Sequence, residues 1–281
     1  MIDISAQRIA AFRRKIWTFY ARHRRRLPFR ETDDPYNIVV AEFMLQQTQV
    51  ERVIPKYEAW LKKWPTWAAL ARADRRELLA AWSGLGYNRR AIYLGQLAGI
   101  IAKRFDGCLP DDPKILQTLP GIGPYTAHAV LIFAFNKPLV TIDTNIRRVM
   151  IHEFGLPADV TKGDLENLAR RLRPRGRSRD WHNALMDYSR VAIPGRLPAA
   201  PRLNKQTPFR GSRRQIRGEI IRRLTLSRRV AVDRIAKDMK RSVQDVMEAA
   251  EALQKDGLVR IGKRFITLCK KNRMGDKNPA A

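Results

Sequence analysis

Leu119-Pro-Gly-Ile-Gly-Pro-Tyr-Thr-Ala-His-Ala-Val-Leu-Ile-Phe-Ala-Phe-Asn-Lys-Pro-Leu-Val-Thr-Ile-Asp-Thr-Asn145 organises the chain. Gly121 and Gly123 make a tight turn, and a strongly apolar helix of about three turns follows it. Asn136-Lys137-Pro138 ends that helix, and Asp143 stands one residue past the apolar run Leu139–Ile142. Glycines let the backbone approach closely and a helix N-terminus favours anions, so the turn can offer its N–H groups to a phosphate. A lone carboxylate behind such a turn points to chemistry beside a nucleic-acid backbone. Gly-x-Gly turns are mostly just turns, so the surrounding chain has to decide.

Immediately upstream, Asp111-Asp112-Pro113 starts a helix ending at Leu119, which makes the stretch a helix-hairpin-helix. Downstream, Asn145 to Phe154 reads as helix, with Arg147 and Arg148 exposed by the spacing. Helices follow at about 162–173 and 180–192. Further upstream lies a basic helix over 5–26, with Ile9, Phe12, Ile16 and Tyr20 at three- and four-residue spacing. Its end, Arg22–Arg26, either meets phosphates or is simply solvated.

Asp34-Pro35 fits an N-cap with proline at the first helical position, opening a helix over about 36–50. Glu42 is its only acid, set among Ile38, Val39, Val40, Phe43, Met44 and Leu45. A carboxylate in apolar surroundings has a raised pKa, which suits a proton donor near neutrality. The competing reading is a rim carboxylate paired with an arginine. Gln46-Gln47-Thr48-Gln49 ends the helix; such amides either replace lost base-pair hydrogen bonds or cap it. Helical patterns continue at 52–63, 66–71 and 74–82, with Trp60, Trp64, Trp67 and Trp82 as core. Ser83-Gly84-Leu85-Gly86-Tyr87-Asn88 breaks the run before a helix from Arg89 to Phe105.

Composition changes at 194–212, where four prolines and several arginines make a linker. Beyond it, amphipathic helices at about 213–224, 230–239 and 242–256 precede two alternating runs around Gly262-Lys263. Three helices and a terminal hairpin form a winged-helix pattern. The expected division is therefore 1–193, a linker at 194–212, a winged-helix-like domain at 213–269 and a disordered tail at 270–281. The fold expected is all-α, with this small domain appended.

Over 281 residues the formal net charge is +28, which calls for a polyanionic partner, nucleic acid being the commonest. Residues 201–281 carry 22 Lys+Arg against 8 Asp+Glu, so half of that charge sits on the smaller segment. No stretch approaches the roughly 18 apolar residues of a membrane span, and the N-terminus lacks a signal-peptide h-region. Cys108 and Cys269 are the only cysteines, and nothing argues for a disulfide between them. A reduced intracellular compartment fits.

Four motifs recur in a recognisable order: Glu42 with Met44–Val50, Gly84-Leu85-Gly86-Tyr87, Leu119–Thr126, and Ile142-Asp143-Thr144-Asn145. Together they resemble the helix-hairpin-helix base-excision DNA glycosylases and, within them, the adenine DNA glycosylase (MutY type) branch, over roughly residues 8–192. The resemblance implies double-stranded DNA with a mismatched or damaged base as partner, a monomer, and a cytoplasmic, nucleoid-associated location in a prokaryote or a nuclear or organellar one in a eukaryote. It makes Glu42 the acid that protonates the departing base and Asp143 the carboxylate that stabilises, or transiently bonds, the sugar carbon. Asn145 and Tyr125 match positions that hydrogen-bond these carboxylates and the sugar region. Gln46, Gln47 and Thr48, with Leu85, Tyr87 and Asn88, match segments that probe the duplex beside the extruded base. Gly121, Gly123, Thr126 and Arg147 match the phosphate grip, whose 119–123 carbonyls often hold a monovalent cation in the family.

Tyr125 stands where the lyase branch has a nucleophilic lysine, which implies a monofunctional glycosylase; a tyrosine there also occurs in mismatch thymine/uracil glycosylases. The chain departs from the family at three places. The stretch at about 189–205 has none of the four cysteines that hold a [4Fe–4S] cluster, so no cofactor is expected. A winged-helix-like segment stands in place of a Nudix-like domain, and Asn88 replaces a second tyrosine; both departures bear on recognition of 8-oxoguanine. The expected activity is hydrolysis of the N-glycosidic bond of adenine opposite guanine or 8-oxoguanine. The alternatives are a thymine/uracil or deaminated-base glycosylase, and a non-catalytic DNA-binding protein on the same scaffold.

Overall fold

A computed structural model describes residues 4–193 and 209–269. Most of the expected linker and all of the expected tail lie outside the described residues. In chain order the helices are α1 (Ala6–His23), α2 (Pro35–Leu45), α3 (Val50–Lys63), α4 (Trp67–Arg72), α5 (Arg75–Trp82), α6 (Arg89–Arg104) and α7 (Pro113–Gln117). Next come α8 (Pro124–Phe135), α9 (Thr144–Phe154), α10 (Lys162–Leu172) and α11 (Ser178–Val191). The C-terminal segment runs α12 (Arg213–Leu226), β1 (Arg229–Ala231), α13 (Val232–Met239), α14 (Val243–Lys255), β2 (Val259–Ile261) and β3 (Phe265–Leu268).

The described chain divides into two compact units, one of residues 4–42 and 109–193 and one of residues 43–108 and 209–269. In the first, α1, α9, α10 and α11 enclose a core centred on Ile16, Val149, Leu168 and Trp181. Phe12 meets Trp181 edge-on, with ring centroids 5.9 Å apart. Asp187 on α11 is fully buried and ionically paired: Arg25 Nε lies 2.6 Å from Oδ1 and Arg30 Nη1 2.8 Å from Oδ2. Arg25, from the run expected either to meet phosphates or to be solvated, is thus bound with Arg30 to one carboxylate. α8 is apolar all round, as a central helix must be, and buries Ala127, Ala129, Val130, Leu131 and Ile132.

In the second unit, Ile216, Ile220, Ile221 and Leu224 of α12 share one core with Ile235, Val246, Leu253 and Ile266, and also with Leu79 of α5 and Ile92 of α6. Each such side chain contributes about 1.5–3 kcal/mol on full burial, so the C-terminal segment is packed onto α5 and α6. The division therefore runs differently from the boundary expected between 193 and 213.

Two expectations need correction. The chain is mostly helical, but it is not all-α: β1, β3 and β2, in that order, form an antiparallel three-stranded sheet. Val230 pairs with Ile266 and Ile261 pairs with Ile266 from the other side. Residues 230–231 read as the start of a helix because their partner strand lies over 30 residues away, beyond any local periodicity. Second, α2 stops at Leu45 rather than near 50, and Gln47 takes a left-handed φ of 56°. The cause is Arg90, described below, which collects the carbonyls at that helix end.

Candidate active site

The hairpin forms as the glycines require. Gly121 adopts φ 79°, the Ile122 N–H donates to the Leu119 carbonyl, and Gly123 is the N-cap of α8, followed by Pro124. No side chain caps that helix start, and helix N-termini of this kind favour anions.

Tyr125 sits in the first turn of α8 and is 40% exposed. Its hydroxyl is held well above the ordinary phenol range by desolvation, with the negative charges of Glu42 and Asp143 adding to the effect. The phenol therefore stays neutral and offers a hydrogen-bond donor, not a nucleophile.

Asp143 is the N-cap of α9. Its Oδ1 accepts the Ile146 N–H at 2.8 Å and its Oδ2 accepts Asn145 Nδ2 at 2.8 Å. Burial raises its pKa, but these donors and the positive end of α9 oppose the rise. The segment leading into Asp143 is anchored by His182, whose Nε2 accepts the Thr141 N–H at 3.3 Å. His182 Nδ1 then donates to the Ser178 carbonyl at 2.7 Å, and burial keeps the ring neutral by lowering its pKa to about 4.

Glu42, on α2, has no such support. Burial lifts its pKa to about 7, and the charge of Asp143 adds to that, with no cation or hydrogen bond among the described residues offsetting it. Both acids are thus pushed up by burial, but only the Asp143 carboxylate has hydrogen-bond donors opposing the rise. Glu42, Tyr125, Asp143 and Asn145 come together in one unit, in mutual electrostatic range. Among the described residues no arginine pairs with Glu42, which does not fit a rim carboxylate.

In the other unit, Gln46, Gln47 and Thr48 form the turn between α2 and α3, facing the Leu85–Asn88 turn. Arg90 holds both. It is 8% exposed, and its Nη1 donates to the carbonyls of Phe43 (2.6 Å) and Gln46 (2.7 Å). Its Nη2 donates to the carbonyls of Leu85 and Gly86, each at 3.1 Å, and its cation lies 5.3 Å above Trp82. Burial without a carboxylate pulls its pKa down to about 10, so it remains charged at neutrality. Tyr87, 49% exposed, projects from this turn, and Asn88 is half-buried beside it.

Three expected DNA-facing side chains are not exposed. Leu85 and Thr126 are buried at 5% each. Arg147 is half-buried, with Nη2 2.6 Å from the Ala158 carbonyl and a further bond to Val160. Helical spacing gave it an outward position, but the loop at 156–161 folds over it. Arg90, His182 and Asp187 were missed, because a charged residue buried by distant backbone looks in sequence like any surface charge.

Cys108 is exposed and Cys269 half-buried, and two thiols cannot supply the four ligands of an iron–sulfur cluster. The residues present do not fit that group. Among the described residues no group of three metal ligands occurs, and no helix is long and apolar enough to cross a membrane.

A glycine hairpin with a half-buried pair of acids in one unit, and paired polar turns in the other, are the features of a base-excision protein. The family model described as HhH-GPD superfamily base excision DNA repair protein matches residues 40–175, and the chain belongs to that superfamily. An adenine DNA glycosylase of Mycolicibacterium smegmatis is 36% identical over 228 residues, covering 74% of this chain and 78% of that protein. The adenine DNA glycosylase of Mycobacterium tuberculosis is 47% identical over 133 residues, 47% of this chain; the match spans only 44% of that relative. The solved structure of a thermostable thymine-DNA glycosylase aligns with a TM-score of 0.61 at 30% identity, covering 67% of this chain and 89% of that one.

Proposed function

We propose that this protein is a monofunctional DNA glycosylase that removes adenine mispaired with guanine or 8-oxoguanine. The observation that carries it is the asymmetric acid pair: burial lifts Glu42 to about 7 with no donor to offset it, whereas the Asp143 carboxylate, also pushed up by burial, accepts from the Ile146 N–H and Asn145 Nδ2. Double-stranded DNA fits the net charge of +28 and the uncapped start of α8, which is suited to a phosphate. We read α12 to β3 as a winged helix.

In the proposed reaction the base leaves the stack. The C1′–N bond breaks, its electron pair goes to the base, and Glu42 transfers its proton to a base nitrogen. Asp143 stabilises the cationic sugar. A water then adds to C1′ and returns a proton to Glu42. Tyr125 and Asn145 orient the carboxylates. No amine is offered at residue 125, so the strand is not cut through a Schiff base.

Duplexes with adenine opposite 8-oxoguanine, A:G, T:G, U:G and hypoxanthine:T test the assignment. Alkali-labile sites in the adenine duplexes are expected, with no adduct trapped by borohydride. Release of thymine or uracil instead would favour the second reading, which the thymine-DNA glycosylase structure at 30% identity supports. No abasic site on any duplex would leave a non-catalytic DNA-binding protein.

A further inference from the structure

Arg217 of α12 and Asp256, which follows α14, meet the base-probing turns at a cavity of about 400 Å³, lined also by Gln47, Tyr87, Asn88 and Tyr93. Ligand sites typically run from about 300 to 1,000 Å³, so there is room for a planar heterocycle. Arg217 Nη2 donates to Asp256 Oδ2, and Arg89 Nη1 lies 3.8 Å from Oδ1. A carboxylate has about four acceptor positions, so Asp256 keeps capacity for two more donors.

The lining selects its ligand chemically. Arg89 and Arg90 also line the cavity, but Arg89 and Arg217 face the Asp256 carboxylate and Arg90 is bonded to backbone carbonyls. A free phosphate therefore competes with Asp256 for its cations, and an aliphatic group meets amides and guanidinium groups. A nucleobase suits all of it: an aromatic face for Tyr87 and Tyr93, and a mixed edge for Arg217 and Asp256. Among the bases, guanine alone presents two adjacent N–H donors on its pairing edge to a carboxylate, while its O6 and N7 accept from a guanidinium.

The alternative use of this segment, as an independent groove reader, fits poorly. A winged helix lays its third helix in the major groove, and that helix is α14. It carries Asp245, Glu248 and Glu251 against the single base Lys255. That balance is repelled by phosphate.

We infer that this cavity receives the base left unpaired on the opposite strand, and that Arg217 and Asp256 make guanine the preferred occupant. The inference rests on the excision reading above, because an opposite base is stranded only when its partner is removed or extruded. Its test uses duplexes with an uncleavable tetrahydrofuran abasic analogue placed opposite G, A, C or T, bound by the full-length protein at fixed salt and read by fluorescence anisotropy.

The wild type is expected to favour guanine by about 10-fold, the discrimination that one good bidentate base contact supplies. Asp256→Asn and Arg217→Gln should each remove most of that preference and leave affinity for the other three duplexes nearly unchanged. Equal wild-type affinity for all four duplexes overturns the inference. So does an unchanged preference in both variants, or a uniform loss across the four. Guanine preference without base release on any substrate sustains the pocket and removes the glycosylase reading, so the two fail separately.

Discussion

Raising the pH above neutrality should shut the reaction down through Glu42 alone. With its pKa at about 7, half of the Glu42 carboxyl groups are protonated at pH 7. About a tenth remain so at pH 8 and about a hundredth at pH 9. If Glu42 delivers the proton, the rate of base release falls by about 5-fold and then about 50-fold over those two steps. Toward acid the rate levels, then drops as Asp143 takes up a proton, at a pH above the ordinary aspartate range because burial raises it. The assay is single-turnover excision with enzyme in excess and ionic strength held constant, so that binding stays saturated and only chemistry is read. Glu42→Gln is the control: it should be slower by about 10²- to 10⁴-fold at neutral pH and should lose the alkaline slope. A flat wild-type profile between pH 6 and 9, or the same slope in the glutamine variant, refutes the reasoning.

The same residue has a cost in stability. Its folded pKa of about 7 exceeds the ordinary glutamate value of 4.5, so the native state binds the extra proton and stability falls as pH rises from 4.5 to 7. The full swing is about 3 kcal/mol, and Glu42→Gln should therefore be more urea-resistant than wild type at pH 8 but not at pH 4.5. Asp143→Asn should abolish turnover yet bind the abasic-analogue duplexes normally, because the amide oxygen still caps α9; full activity would remove its assigned role. Arg90→Met leaves the carbonyls of Phe43, Gln46, Leu85 and Gly86 without their donor. A loss of about 3 kcal/mol or more in urea unfolding is expected, and Arg90→Lys should not rescue it, since an ammonium cannot span both turns. Asp187→Ala strands Arg25 and Arg30 and should cost about 3–5 kcal/mol; a loss below about 1 kcal/mol would mean water already serves those guanidinium groups.

The two acids of the candidate site were legible because their environments follow from residue type over short spans. Asp143 precedes a helix, so it caps it, and the cap opposes the rise in pKa that burial imposes. Glu42 sits in an unbroken apolar run, and burial follows from the run. The hairpin glycines and Tyr125 are equally local. A tyrosine cannot form a Schiff base wherever it is placed, so that inference needs no coordinates.

The features that escaped all depend on partners far away in the chain. Arg90 reads as one of two adjacent arginines, and only the close approach of the Phe43–Gln46 carbonyls makes it a buried clamp. β1 is three residues long, too short to declare its own periodicity, and exists because β3 pairs with it. Leu85 lies in a glycine-flanked turn, yet it is buried. The C-terminal segment looked like a separate body, whereas it shares a core with Leu79 and Ile92.

Sequence alone determined the helix-hairpin-helix, the two acids and that residue 125 is a tyrosine, because each depends on composition or on spacing within one or two helical turns. Tertiary structure decided which acid has donors opposing the effect of burial, what holds the turns at 46–48 and 85–88 in place, and that Arg217 and Asp256 stand beside those turns. Burial, desolvation and long-range pairing are properties of the packed chain, and no local pattern encodes them.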